Sequence, residues 1–62
     1  MGGLLTLPEA AAQLRRPINT LRHWRYVGTG PASFRVGRRV MYREEDLAAW
    51  VEAQRRAEQV PA

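Results

Sequence analysis

Three interruptions, at Arg15-Arg16-Pro17, Gly28-Thr29-Gly30-Pro31 and Gly37-Arg38-Arg39, cut this chain into segments that leave room for short helices and strands only. A residue that precedes proline is pushed out of the helical region, and glycine opens backbone conformations that end a helix or tighten a turn. With 62 residues and no cysteine, the segments must share one small core that neither disulfide nor metal-thiolate chemistry supports. We therefore expect a single domain over residues 1–62, with a core at about 4–57 and a frayed end at 58–62.

The segment before the first interruption reads as a helix. Thr6-Leu7-Pro8-Glu9 has the capping-box form, in which the Thr6 hydroxyl accepts from the Glu9 amide and the Glu9 carboxylate reaches back to the Thr6 amide. Pro8 suits the first turn, where a missing N–H costs nothing. Leu7, Ala10, Ala11 and Leu14 then recur at helical spacing, which predicts a support helix over about 7–15.

The next helix starts at Pro17, with Arg16 as its cap, and Gly28 ends it in the position glycine favours. Ile18, Leu21 and Trp24 fall on its buried face, and a rotation of about 100° per residue sets Asn19, Arg22, His23 and Tyr26 opposite them. That polar face carries no acid. Asn19 matches adenine, Arg22 matches guanine or phosphate, and His23 and Tyr26 bond to bases or backbone. Arg25 falls near the buried face beside Leu21 and is read as structural, either snorkelling past the core or paired with an acid. Arg15 and Arg16 oppose the dipole of the helix they precede, a cost that a bound phosphate would reverse.

Past the glycine-rich loop, Phe34-Arg35-Val36 and Val40-Met41-Tyr42 alternate as two short strands. A three-residue turn at Gly37-Arg38-Arg39 pairs Val36 with Val40 and Phe34 with Tyr42 and so keeps one face apolar. That register is preferred, although glycine in the first turn position suits a two-residue loop and leaves the turn type open. Either turn projects Arg38 and Arg39 from the hairpin tip. Glu44, Glu45 and Asp46 then favour a helix N-terminus, and Leu47, Trp50 and Val51 share the face of a third helix that runs to about Ala57.

Charge follows the same divisions. Residues 1–14 sum to −1, residues 15–43 to +8 from eight arginines and no acid, and residues 44–62 to −3. A folded basic surface of this kind points to a polyanion, nucleic acid first. That all ten basic residues are arginine reflects a GC-rich genome or a demand for bidentate pairing, and the sequence leaves both open. His23 stands without a second histidine or a cysteine, so no metal site and no cofactor are expected. Ser33, His23 and Tyr42 make no nucleophile, base and orienting-acid set, so the chain is not expected to be an enzyme. No apolar run reaches the roughly 20 residues of a membrane helix, and no aromatic platform suits single-stranded RNA.

The order helix, helix, strand, strand, helix is that of a small α+β winged helix-turn-helix. The stretches Leu5-Thr6-Leu7-Pro8-Glu9-Ala10-Ala11, Thr20-Leu21-Arg22-His23-Trp24-Arg25 and Val36 through Trp50 resemble the MerR-like excisionase family of short phage and mobile-element proteins, over about residues 4–54. Arg15-Arg16-Pro17 departs from that family's usual turn of a glycine, an apolar residue and a serine cap. The resemblance implies a recognition helix over Pro17 to Val27 with Asn19, Thr20, Arg22, His23 and Tyr26 at the major groove, and a wing of Gly37, Arg38 and Arg39. To these we add Arg15, Arg16 and Arg43 as phosphate or turn contacts. It further implies a recombination directionality factor that binds double-stranded DNA cooperatively near an attachment site and helps an integrase to excise. The alternative is a small transcriptional regulator using the same helix and wing. The long dimerisation helix of larger MerR-type regulators has little room after Trp50, so a monomer that self-associates on DNA is expected, in the cytoplasm of a bacterial or phage-infected cell.

Overall fold

The computed structural model describes residues 3–59; of the end expected to fray at 58–62, Glu58 is still helical and Val60, Pro61 and Ala62 lie outside the described residues. Strand β1 (Leu4–Thr6) leads into helix α1 (Leu7–Leu14), followed by α2 (Ile18–Val27), β2 (Phe34–Val36), β3 (Arg39–Arg43) and α3 (Glu44–Glu58). The three strands form one antiparallel sheet in the order β1-β3-β2. The helix, helix, strand, strand, helix order holds, and β1 is an addition to it. No helix among the described residues is long and apolar enough to cross a membrane.

The capping box at the start of α1 is complete. The Glu9 amide donates to Thr6 Oγ1 at 3.3 Å, and the Thr6 amide donates to Glu9 Oε1 at 2.8 Å. The other end of α1 closes without glycine. Arg15 takes the left-handed conformation at φ 56° and ψ 41°, with its amide donating to Ala12 O and that of Arg16 to Ala11 O, the paired bonds of a Schellman motif. Arg15 thus ends α1 and does not lead into α2. The cap of α2 is Pro17, with φ −60° and ψ 147°, not Arg16, and the first helical residue is Ile18. Pro17 brings no side-chain oxygen, so the first amides of α2 have no side-chain cap.

A left-handed arginine is strained by about 1–2 kcal/mol, because its Cβ crowds the following carbonyl. Glycine removes that crowding and returns about 0.4–1 kcal/mol through a freer unfolded chain. Arg15→Gly is therefore expected to stabilise the domain by about 0.5–1 kcal/mol, raising Tm by roughly 2–8 °C in a domain of this size. A thermal melt followed by circular dichroism checks this, and a fall in Tm would mean that the Arg15 side chain supports the turn.

The core is small: Leu5, Ala10, Ala11, Leu21, Tyr42 and Leu47 are buried, with Leu7, Leu14, Trp24 and Val40 packed against them. Two alanines at the centre of α1 let its backbone sit close to the sheet. The register of the hairpin differs from the preferred three-residue turn. Val36 pairs with Arg39, Arg35 with Val40 and Phe34 with Met41, around a two-residue turn of Gly37-Arg38. Gly37 has φ 62° while Arg38 stays at negative φ, as the first and second positions of a type II′ turn require.

Strand β1 explains the difference. Leu5 pairs with Tyr42, so the core face of β3 is completed from the β1 side. Phe34 and Val36 are not needed there and remain 39% and 50% exposed. The N-terminus is tied to α3 as well, since the Glu44 amide donates to Gly3 O at 2.9 Å.

Candidate nucleic-acid interface

Helix α2 is rooted by Leu21, which is fully buried, and by Trp24, whose ring lies 5.1 Å from that of Trp50 on α3 at an interplanar angle of 47°. With that face fixed, Asn19, Arg22, His23 and Tyr26 all stand exposed on the other, Tyr26 at 89%. Thr20 is half-buried and sits on the flank of α2. Ten helical residues span about 15 Å, a length that one groove of a duplex accommodates.

The loop from α2 to the hairpin is held at two points. Gly28 ends α2 at φ 83°, with its own amide and that of Thr29 returning to Arg25 O and Trp24 O. Gly30, at φ 81°, lies so close to Trp24 that a Cβ there would sit 2.9 Å from the Trp24 Cβ and 3.0 Å from Cε3, which only glycine avoids. Further along, Ser33 Oγ accepts a 2.8 Å hydrogen bond from Arg25 Nε. The loop is thus bound back onto α2, and the angle between α2 and the hairpin is set by these contacts.

Between them lies an open cleft of about 560 Å³. Arg22, Arg25 and Tyr26 of α2 form one side, Arg38, Arg39 and Val40 of the hairpin another, and Thr6, Leu7 and Pro8 at the start of α1 close it. Four arginines from two elements meet here with no carboxylate in the lining. Arg38 occupies the turn itself, and Arg39 is the first residue of β3, paired with Val36.

The arginines expected as phosphate or turn contacts separate into two groups. Arg15 and Arg16 are exposed in the turn before α2 and do not line the cleft. Arg43 caps α3 and pairs with Glu45 and, at 4.0 Å, with Asp46. The Glu45 hydrogen bond, with the charges of Glu45 and Asp46 behind it, pushes the Arg43 guanidinium above its ordinary pKa. In the free protein its charge is met by these exposed ion pairs at the start of α3. Among the described residues it is the only arginine of the basic stretch in an ion pair; the other seven are left open to a partner.

Arg25 keeps its structural contact, but with Ser33 and not with an acid, and it does not simply snorkel outward. Behind it the buried Tyr42 hydroxyl is raised above its ordinary pKa by desolvation, against the pull of the Arg25 charge and the Ser33 hydrogen bond. Sequence reasoning used Ser33 only to dismiss a nucleophile and assigned Thr6, Leu7 and Pro8 only to the helix start. The eight-residue separation of Arg25 and Ser33 across a glycine loop gives no periodic signal that would have joined them.

A helix, a tight turn and a second helix, followed by a hairpin whose arginines meet those of the second helix, define a DNA-binding helix-turn-helix domain with a wing. The chain belongs to the helix-turn-helix domain family, whose profile matches residues 4–55. No curated protein and no solved structure matches it.

If Arg38 and Arg39 each neutralise one phosphate, Arg38→Gln/Arg39→Gln flattens the dependence of log K on log salt by about 1.8, from about 0.9 per phosphate. Fluorescence anisotropy on a labelled duplex over a salt series measures this. An unchanged slope would remove the hairpin tip from the interface.

Proposed function

We propose that the protein is an excisionase, a recombination directionality factor that binds double-stranded DNA near an attachment site and bends or bridges it so that an integrase favours excision. The observation that carries the reading is the convergence of Arg22, Arg25, Arg38 and Arg39 on one cleft between α2 and the wing, which suits a protein that grips groove and backbone together. The resemblance of Thr20 to Arg25 and of Val36 to Trp50 to the excisionases supplies the biological role. Its work is architectural, with no chemistry of its own. A single domain with so small an interface gains affinity by binding repeated sites side by side, so copies assemble on DNA as neighbours.

Electrophoretic titration over the integrase attachment region is the test. Laddered, cooperative shifts accompanied by bending, and stimulation of excision by the cognate integrase, are the expected results. A single isolated site without bending, placed over a promoter, would overturn the recombination role in favour of transcriptional control.

A further inference from the structure

Arg25 is the only arginine between residues 15 and 43 that is half-buried, and its single side-chain hydrogen bond among the described residues goes to a neutral group. A guanidinium has five N–H donors in a rigid fork. Donation of Nε to Ser33 Oγ fixes the plane of that fork and leaves both Nη groups without a hydrogen-bond partner among the described residues. A partly buried guanidinium is ordinarily matched by a carboxylate, and here the cleft it lines adds Arg22, Arg38 and Arg39 instead. The acid closest to the cleft in sequence, Glu9, has its Oε1 taken up by the Thr6 amide. Like charges gathered in one cleft repel, and an anion seated among them relieves that repulsion. Beside the arginines, Thr6 and Tyr26, the lining is apolar, with Leu7, Pro8 and Val40 offering a surface for a sugar ring. A phosphate carried on deoxyribose fits that mixture of walls better than a free ion does.

We propose that Arg25 is a phosphate ligand, held by Ser33 so that one phosphodiester of the duplex backbone seats in the cleft and joins α2 to the wing. Ser33 is a positioning residue: it orients the fork and does not touch DNA. The phosphate then locks the reading helix and the hairpin into one register, so that a base contact on α2 and a backbone contact on the wing are made together. The proposal rests on the DNA-binding reading and adds a specific ligand to it.

The test compares the wild type, Arg25→Gln, Arg25→Lys and Ser33→Ala on a fluorescein-labelled duplex carrying a site first located by footprinting with the wild type, across a salt series, with each variant first melted to establish folding. Arg25→Gln is expected to reduce the salt slope by about 0.9, the value of one phosphate, while Arg25→Lys keeps it. Ser33→Ala retains every charge, so it keeps the slope and loses about 2- to 10-fold in affinity, the worth of one hydrogen bond. A merely structural Arg25 would change Tm and leave the slope alone; that result overturns the proposal while DNA binding stands. If Arg25→Gln does not melt cooperatively, neutral methylphosphonates placed at each phosphate in turn decide. One position must weaken the wild type several-fold more than it weakens Ser33→Ala, and its absence overturns the proposal. A wild type with no salt-dependent duplex binding overturns this inference and the DNA-binding reading together.

Discussion

Leu21→Ala is expected to unfold most of the population near body temperature. Leu21 has no exposed surface and ties α2 into the core cluster with Leu5, Ala10, Ala11, Tyr42 and Leu47. Removing a buried leucine side chain costs about 2–5 kcal/mol, from lost burial together with the cavity it leaves. A 62-residue domain has about 3–9 kcal/mol in total, at roughly 0.05–0.15 kcal/mol per residue, so one substitution consumes much or all of it. The companion Leu21→Met conserves volume and is expected to cost less than about 1.5 kcal/mol. Urea and thermal denaturation of both variants measure the difference. DNA affinity should fall for Leu21→Ala only through the folded fraction, and saturating duplex should raise its Tm by mass action. A Leu21→Ala variant with wild-type Tm would mean that α1 and α3 hold together without α2.

The parts of this fold that were legible in the sequence are those whose signals are local. The α1 cap, the Gly28 stop and the acidic start of α3 each rest on residues within a few positions of one another, and all three stand in the structure as read. Strand β1 was not legible, because three residues show no alternation and its partner Tyr42 lies 37 positions from Leu5. One local clue pointed to Leu5: an apolar residue just before a cap packs against the fourth helical residue, here Ala10, and both are in the core. The hairpin register failed for the same reason. Keeping Phe34 and Val36 on the apolar face is sound only if β2 must complete the core face of β3, and β1 already does so. At the interface, periodicity placed Asn19, Arg22, His23 and Tyr26 on the exposed face, but it could not show that Arg25 shares a cleft with the wing. That cleft depends on the Arg25–Ser33 bond and on the close approach of Gly30 to Trp24, neither of which has a sequence period.

Arg22→Ala is expected to weaken binding to the specific site by about 1–3 kcal/mol, with a much smaller loss on unrelated duplex. The position of Arg22 on α2 makes this a sharp test. Asn19 and His23 are exposed and do not line the cleft, whereas Arg22 and Tyr26 are exposed and line it, and Arg25 lines it half-buried. If α2 reads a groove while the cleft seats a backbone phosphate, Arg22, exposed on α2 and part of the cleft lining, is the arginine that either contact could use. Its fork is free of any acid among the described residues, so it enters a complex with all its donors available. A bidentate contact to guanine would make the loss depend on sequence and leave most of the salt slope intact. A phosphate contact would instead lower affinity equally on every duplex and flatten the slope by about 0.9. Parallel titrations of wild type and Arg22→Ala on a site located by footprinting and on a scrambled duplex separate these outcomes. Equal losses on both would move Arg22 into the backbone-gripping set with Arg25, leaving base discrimination to Asn19 and His23.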